Sequence, residues 1–132
     1  MTELKYVLKL PPVTKKNSQQ ILKNKKTGKP FIMPSAKYRQ YEQAAVWFLK
    51  PCPARPIKCR VNVKCLFYMP THRRADLNNL LEAATDLLVS AGVLADDHYG
   101  IVAGHDGSRV LYSKDNPRTE ITITGMEADG NG

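Results

Sequence analysis

The sequence predicts an α+β fold: a small mixed β-sheet with two main helices in a single domain. Leu4, Tyr6, Leu8 and Leu10, and later Cys59, Val61, Val63, Cys65 and Phe67, alternate with polar residues at the two-residue period of half-buried strands. Two other stretches, around 36–49 and 77–91, repeat their apolar residues at helical spacing. A length of 132 residues suffices for one ordinary core.

Pro11-Pro12 ends the first strand, because proline carries no N–H for a ladder. Residues 14–30 then place Lys15, Lys16, Lys23, Lys25, Lys26 and Lys29 around Asn17, Ser18 and a Thr27-Gly28 turn, and are expected as a loose hairpin or mobile arm. Such a run is either a solvated surface or a clamp for phosphates. Ser35 is placed to cap a first helix whose stripe is Tyr38, Tyr41, Ala45 and Phe48, and which stops before Pro51. Trp47 lies off that stripe and is expected at a second interface. The next strand, Ile57 to Tyr68, sets Lys58, Arg60 and Lys64 opposite its Cys and Val residues, so one face packs and the other is cationic.

A second helix is predicted from Leu77 to Ala91, stopped by Gly92. Leu77, Leu80, Leu81, Ala84, Leu88 and Ala91 form its apolar side, while Asn78, Asn79, Glu82, Thr85 and Asp86 form a polar side expected to face away from the core. Beyond it, Ile101 to Val110 reads as a strand, Asp106-Gly107-Ser108 as a turn, and Val110 to Tyr112 as the return of a hairpin. Glu120 to Thr124 supplies the last strand. The small polar residues 126–132 read as a disordered tail, which leaves 1–125 as the domain.

A formal charge of +8 favours an anionic partner. No apolar run approaches the ~18 residues of a membrane span, and the N-terminus shows no signal-peptide pattern, so a soluble, cytoplasmic protein is expected. Cys52, Cys59 and Cys65 are odd in number and lack close pairing, which indicates neither a disulfide framework nor a zinc site; Cys59 and Cys65 read as small core residues.

The chemistry concentrates between residues 70 and 97, where the basic Pro70-Thr-His-Arg-Arg74 run meets the helix opening Asp76-Leu-Asn78-Asn79 and the pair Asp96-Asp97. A basic surface holds a polyanion, and carboxylates hold the divalent cation that phosphodiester hydrolysis uses. Asp76 also reads as a plain N-cap, and Glu82 and Asp86 as a solvated acidic pair. Asp76 and Asp86 stand ~15 Å apart along the helix and cannot share an ion, whereas Glu82, at ~9 Å, is the better partner. If Asp97 folds back against the helix start, Asp76 and Asp97 give an oxygen-rich site for Mg²⁺ or Mn²⁺. Arg73, Arg74, Lys15, Lys16, Lys23, Lys25 and Lys26 are the expected contacts to the phosphates of such a polyanion. His72, His98 and His105 are the candidate general bases, without the context of a nucleophilic triad.

The chain resembles the RusA family of Holliday-junction resolvases, small endodeoxyribonucleases of bacteria and their phages and prophages that serve DNA recombination and repair. The likeness starts at Leu10-Pro11-Pro12 and Asn17, runs through the helix from Ser35 to Leu49, and is strongest from Arg73-Arg-Ala-Asp-Leu-Asn-Asn-Leu80 to Gly92-Val-Leu-Ala-Asp-Asp97. It implies a homodimeric nuclease that makes paired nicks in four-way DNA junctions with Mg²⁺, so that the phosphates held by the basic residues are those of DNA, and it maps the catalytic aspartates onto Asp76 and Asp97, with Asp96 and the Asn78 carbonyl oxygen as supporting metal ligands. Two positions depart from the family: Asn78 stands where an acid is frequent, and Glu82 where the best-known form has a lysine. Either Glu82 restores the charge missing at Asn78, making Glu82 a third catalytic residue, or Asn78 leaves a protein that binds junctions without cutting them. A metal-dependent hydrolase of a smaller phosphorylated substrate is the remaining alternative.

Overall fold

The computed structural model describes residues 3–14 and 19–126. Its elements run β1 (Leu4–Leu8), β2 (Gln19–Lys23), β3 (Pro30–Pro34), α1 (Ala36–Phe48), β4 (Val61–Met69), α2 (Leu77–Ser90), β5 (Val102–Gly104), β6 (Arg109–Tyr112) and β7 (Arg118–Gly125). A five-stranded mixed sheet and two helices make the α+β fold that the sequence predicts. Strand β7 lies between β1 and β4 and is antiparallel to both. The other edge of β4 is shared by β5 and β6, each parallel to it.

The predicted periodicities build one core. Alternate residues Val61, Val63, Cys65 and Phe67 of β4, Ile121 and Ile123 of β7, and Tyr6 and Leu8 of β1 turn to one face of the sheet. Against that face α2 lays Leu80, Ala84, Leu87 and Leu88, and α1 lays Ala45 and Leu49. Burying a leucine-sized side chain contributes roughly 1.5–3 kcal/mol, so this shared layer fixes how the helices sit on the sheet.

The basic 14–30 segment is a hairpin over its described part. Strands β2 and β3 pair antiparallel, and Asn24 closes the tip by accepting the Lys26 N–H at 2.9 Å while Gly28 takes a φ of 72°. Lys23, Lys25, Lys26 and Lys29 are exposed there. Lys15, Lys16, Asn17 and Ser18 lie outside the described residues, as does the tail from 127 onward.

Three expectations are corrected. Cys59 is exposed, because the strand starts only at Val61; upstream, Ile57 bonds Val93 and Ala95 instead of the sheet. The polar side of α2 does not face solvent throughout. Thr85 is buried and donates its hydroxyl to the Leu81 carbonyl at 2.8 Å, and the Asp86 charge is among those felt by the buried Tyr38 of α1. Packing of α1 alongside α2 claims that part of the helix.

Finally, residues 101–112 form no hairpin. Helix α2 carries the chain back to the start of β4, so the returning chain runs along β4 in parallel, first as β5 beside Val61 and then as β6 beside Leu66 to Met69. The Asp106-Gly107-Ser108 turn displaces the chain without reversing it. Side chains bridge the gap: Asn62 Oδ1 accepts the Asp106 N–H at 2.8 Å, Ser108 Oγ accepts the Cys65 N–H at 2.9 Å, and His105 Nδ1 lies 2.9 Å from the Val63 carbonyl oxygen. Gly107 has a φ of 87°, and a Cβ there would come within 3.2 Å of the Lys64 stem, so the turn requires glycine.

Candidate active site

Strands β1 and β4 run in the same direction, and Thr119 of β7 pairs with Leu8 on one side and Phe67 on the other. Their C-terminal ends therefore come to one end of the sheet. Both helices begin there. Ser35 caps α1, its Oγ accepting the Tyr38 N–H at 3.1 Å. Asp76 caps α2, with Oδ1 accepting the N–H of Asn78 at 2.9 Å and of Asn79 at 3.4 Å.

Between these ends lies a cleft of about 640 Å³ whose lining includes Leu10 to Thr14, Tyr41, Pro70, Lys37, Arg73, Arg74 and Asp76. Its wall is apolar, from the prolines, Leu10 and Met69. Burial pushes the Tyr41 phenol up to about 12, so the wall is neutral at ordinary pH. Three cations, Lys37, Arg73 and Arg74, together with the positive ends of two helices, make the cleft a place for an anion. The sequence reading found both arginines and Asp76 but missed Lys37. A cation in the first turn of a helix opposes the macrodipole, and that mismatch was the available signal.

Asp96 and Asp97 sit at the opposite end of α2. The N–H groups of Val93 and Leu94 both donate to the Leu88 carbonyl, and the turn of Ile101 and Val102 onto His98 brings the chain to Val61, at the start of β4. From Asp76 to Leu88 the helix rises ~18 Å. The acidic pair thus does not fold back to the helix start. Both acids are exposed, and the Asp97 N–H donates to Asp96 Oδ1 at 2.7 Å, which holds the Asp96 carboxyl below the usual range. Asn78 and Glu82 are exposed one turn apart, near Asp76. Among the described residues no group of three or more His, Cys, Asp or Glu converges as a metal site.

The histidines are spread apart. His98 accepts the Gly100 N–H at 3.0 Å, His105 bridges to β4, and His72 stacks on Tyr112 with ring centroids 3.8 Å apart. None of the three lines the cleft.

A family model described as endodeoxyribonuclease RusA matches residues 9–124, which takes in the cleft, both helices and the acidic pair. No curated protein matches the chain.

Proposed function

The chain belongs to the RusA endodeoxyribonuclease family, and from that premise we propose that it resolves four-way DNA junctions by divalent-metal-assisted hydrolysis in recombination and repair. The observation that carries this reading is the cleft: Lys37, Arg73 and Arg74 meet two helix N-termini beside the carboxylate of Asp76. The cations draw a DNA phosphate in without reading sequence. Asp76 supplies a charge-bearing oxygen at that point, since its cap bonds use Oδ1.

Mg²⁺, or Mn²⁺ in its place, would supply Lewis-acid polarisation of the phosphodiester and a more acidic water. Asp76 and Asn78 would hold it at the cleft, and Asp97, supported by Asp96, would complete the set. Their separation along α2 leads to a further element of the reading: two copies form the working unit, with the acidic pair of one brought to the cleft of the other. A two-fold dimer then carries two such sites, which suits a substrate with two scissile strands. Glu82, one turn from Asn78, offsets the charge missing there. The basic hairpin tip, with Lys23, Lys25 and Lys26, holds the duplex arms.

Asn78 also supports a second reading, in which the chain binds junctions but does not cut them. A synthetic junction incubated with and without Mg²⁺ separates the two. Paired, metal-dependent nicks are expected; a retarded but intact junction at every metal concentration favours the second reading, and no retardation at all removes both.

A further inference from the structure

The Pro70-to-Arg74 loop turns two of its cations into the cleft and one aromatic residue away from it. His72 stacks on Tyr112 at the end of β6, with centroids 3.8 Å apart and planes 24° from parallel. Register holds the platform in place: Tyr112 pairs with Met69, and the Ser113 N–H donates to the Met69 carbonyl at 2.9 Å. Yet neither ring is buried. His72 is exposed and Tyr112 retains 46% of its surface. Two flat side chains stacked in water next to Arg73 and Arg74 present a π-surface within a cationic setting. His72 is four residues from Asp76, hence within ~14 Å of it.

From this geometry we infer that the His72–Tyr112 pair is a stacking platform for a nucleobase at the branch point of the DNA. The inference rests on the junction-resolving function proposed above and adds how the branch is sensed. Continuous duplex offers no free base face except at its ends, whereas a four-way junction held with its arms unstacked leaves the faces of the base pairs at its branch point open. A base laid on the pair is held by dispersion, and it costs no helix unstacking beyond what the branch has already lost. The same loop carries Arg73 and Arg74, so a phosphate seated in the cleft and a base on the platform belong to adjacent parts of one strand. Branch recognition and strand placement would then be a single event.

The test uses the full chain and a synthetic four-way junction with 5-iodouracil placed either at the branch or within an arm. Ultraviolet irradiation should link the branch-point base to His72 or Tyr112, mapped by mass spectrometry, and link the arm base to neither. Tyr112→Ala and His72→Ala should each lower junction affinity about five- to 150-fold, the worth of one base–aromatic stack, with duplex affinity unchanged. Tyr112→Phe should keep parental binding because its ring remains. A thermal melt of each variant checks folding, and His72→Ala, in a loop, serves if Tyr112→Ala fails to fold. Cross-links mapping elsewhere, or alanine variants that bind junctions as tightly as the parent, overturn the platform and leave the proposed function standing. Equal losses on junction and continuous duplex also overturn it. A parent that retards no branched DNA removes both.

Discussion

Mixing two inactive variants puts the split of the carboxylates along α2 to a direct test. Asp76→Asn and Asp97→Asn should each abolish cutting alone. Oxygens bound to one Mg²⁺ lie within about 4 Å of each other, since each is ~2.1 Å from the ion. Asp76 and the acidic pair are attached to opposite ends of a helix that rises ~18 Å between Asp76 and Leu88, so the proposed shared ion would need the Asp97 of a second copy. In an equimolar mixture, random reassortment makes about half of the dimers mixed, and each mixed dimer keeps one intact site, which gives about a quarter of the parental sites. A supercoiled plasmid with an extruded cruciform reads this out: one site nicks it to an open circle, and two linearise it. The mixture should therefore recover nicking at about a quarter of the parental rate, with little linear product. Subunit exchange is checked by co-purification through a tag on one variant. A mixture that exchanges subunits yet stays inactive would refute the two-copy site, as would a monomeric mass for an active parent.

The double role of Asp76 separates by substitution: Asp76→Asn should melt close to the parent because asparagine caps as well, Asp76→Ala should lose about 1 kcal/mol, and neither should cut. Cleavage by Glu82→Gln should fall severely if Glu82 offsets Asn78, whereas recovery of nicking by Asn78→Asp from an inactive parent would point to a binding protein. Replacing Lys23, Lys25 and Lys26 by glutamine should flatten the salt dependence of junction binding by about 0.9 in log–log slope for each lost phosphate contact; an unchanged slope would leave the hairpin tip as solvated surface. Burial pushes the Cys65 thiol from 9.0 up to about 12, so the folded chain keeps its proton where the unfolded chain loses it. That stability is fully present below pH 9 and lost as pH rises toward 12, at up to ~1.4 kcal/mol per unit. Urea midpoints should fall over this range and fall less in Cys65→Ala, and a thiol reagent should reach Cys52 and Cys59 but not Cys65 before unfolding.

Local periodicity carried much of the fold. Alternation located β1 and β4, the helical stripe with its Ser35 cap located α1, and Asp76 and Gly92 bounded α2. What escaped depends on partners distant in sequence. Thr85 and Asp86 read as solvent-facing until α1 packs beside them, and Val110 to Tyr112 read as a hairpin arm because nothing local tells a displaced parallel strand from a returning one. For the site, residue types were legible and their grouping was not. A site shared by Asp76 and Asp97 required the chain to fold back, but the helix Leu77–Ser90 between them holds the two at its opposite ends.

The kinked course of β5 and β6 has a consequence for how copies of the chain meet at high concentration. An outer strand with an unbroken row of free amides and carbonyls is a template onto which another chain can add, the usual opening move of aggregation. Here that border is divided into pieces of three and four residues, and at the break Asn62, His105 and Ser108 occupy backbone groups with side chains. A foreign strand would find too few successive positions in register to take hold. Association along this border is thereby disfavoured.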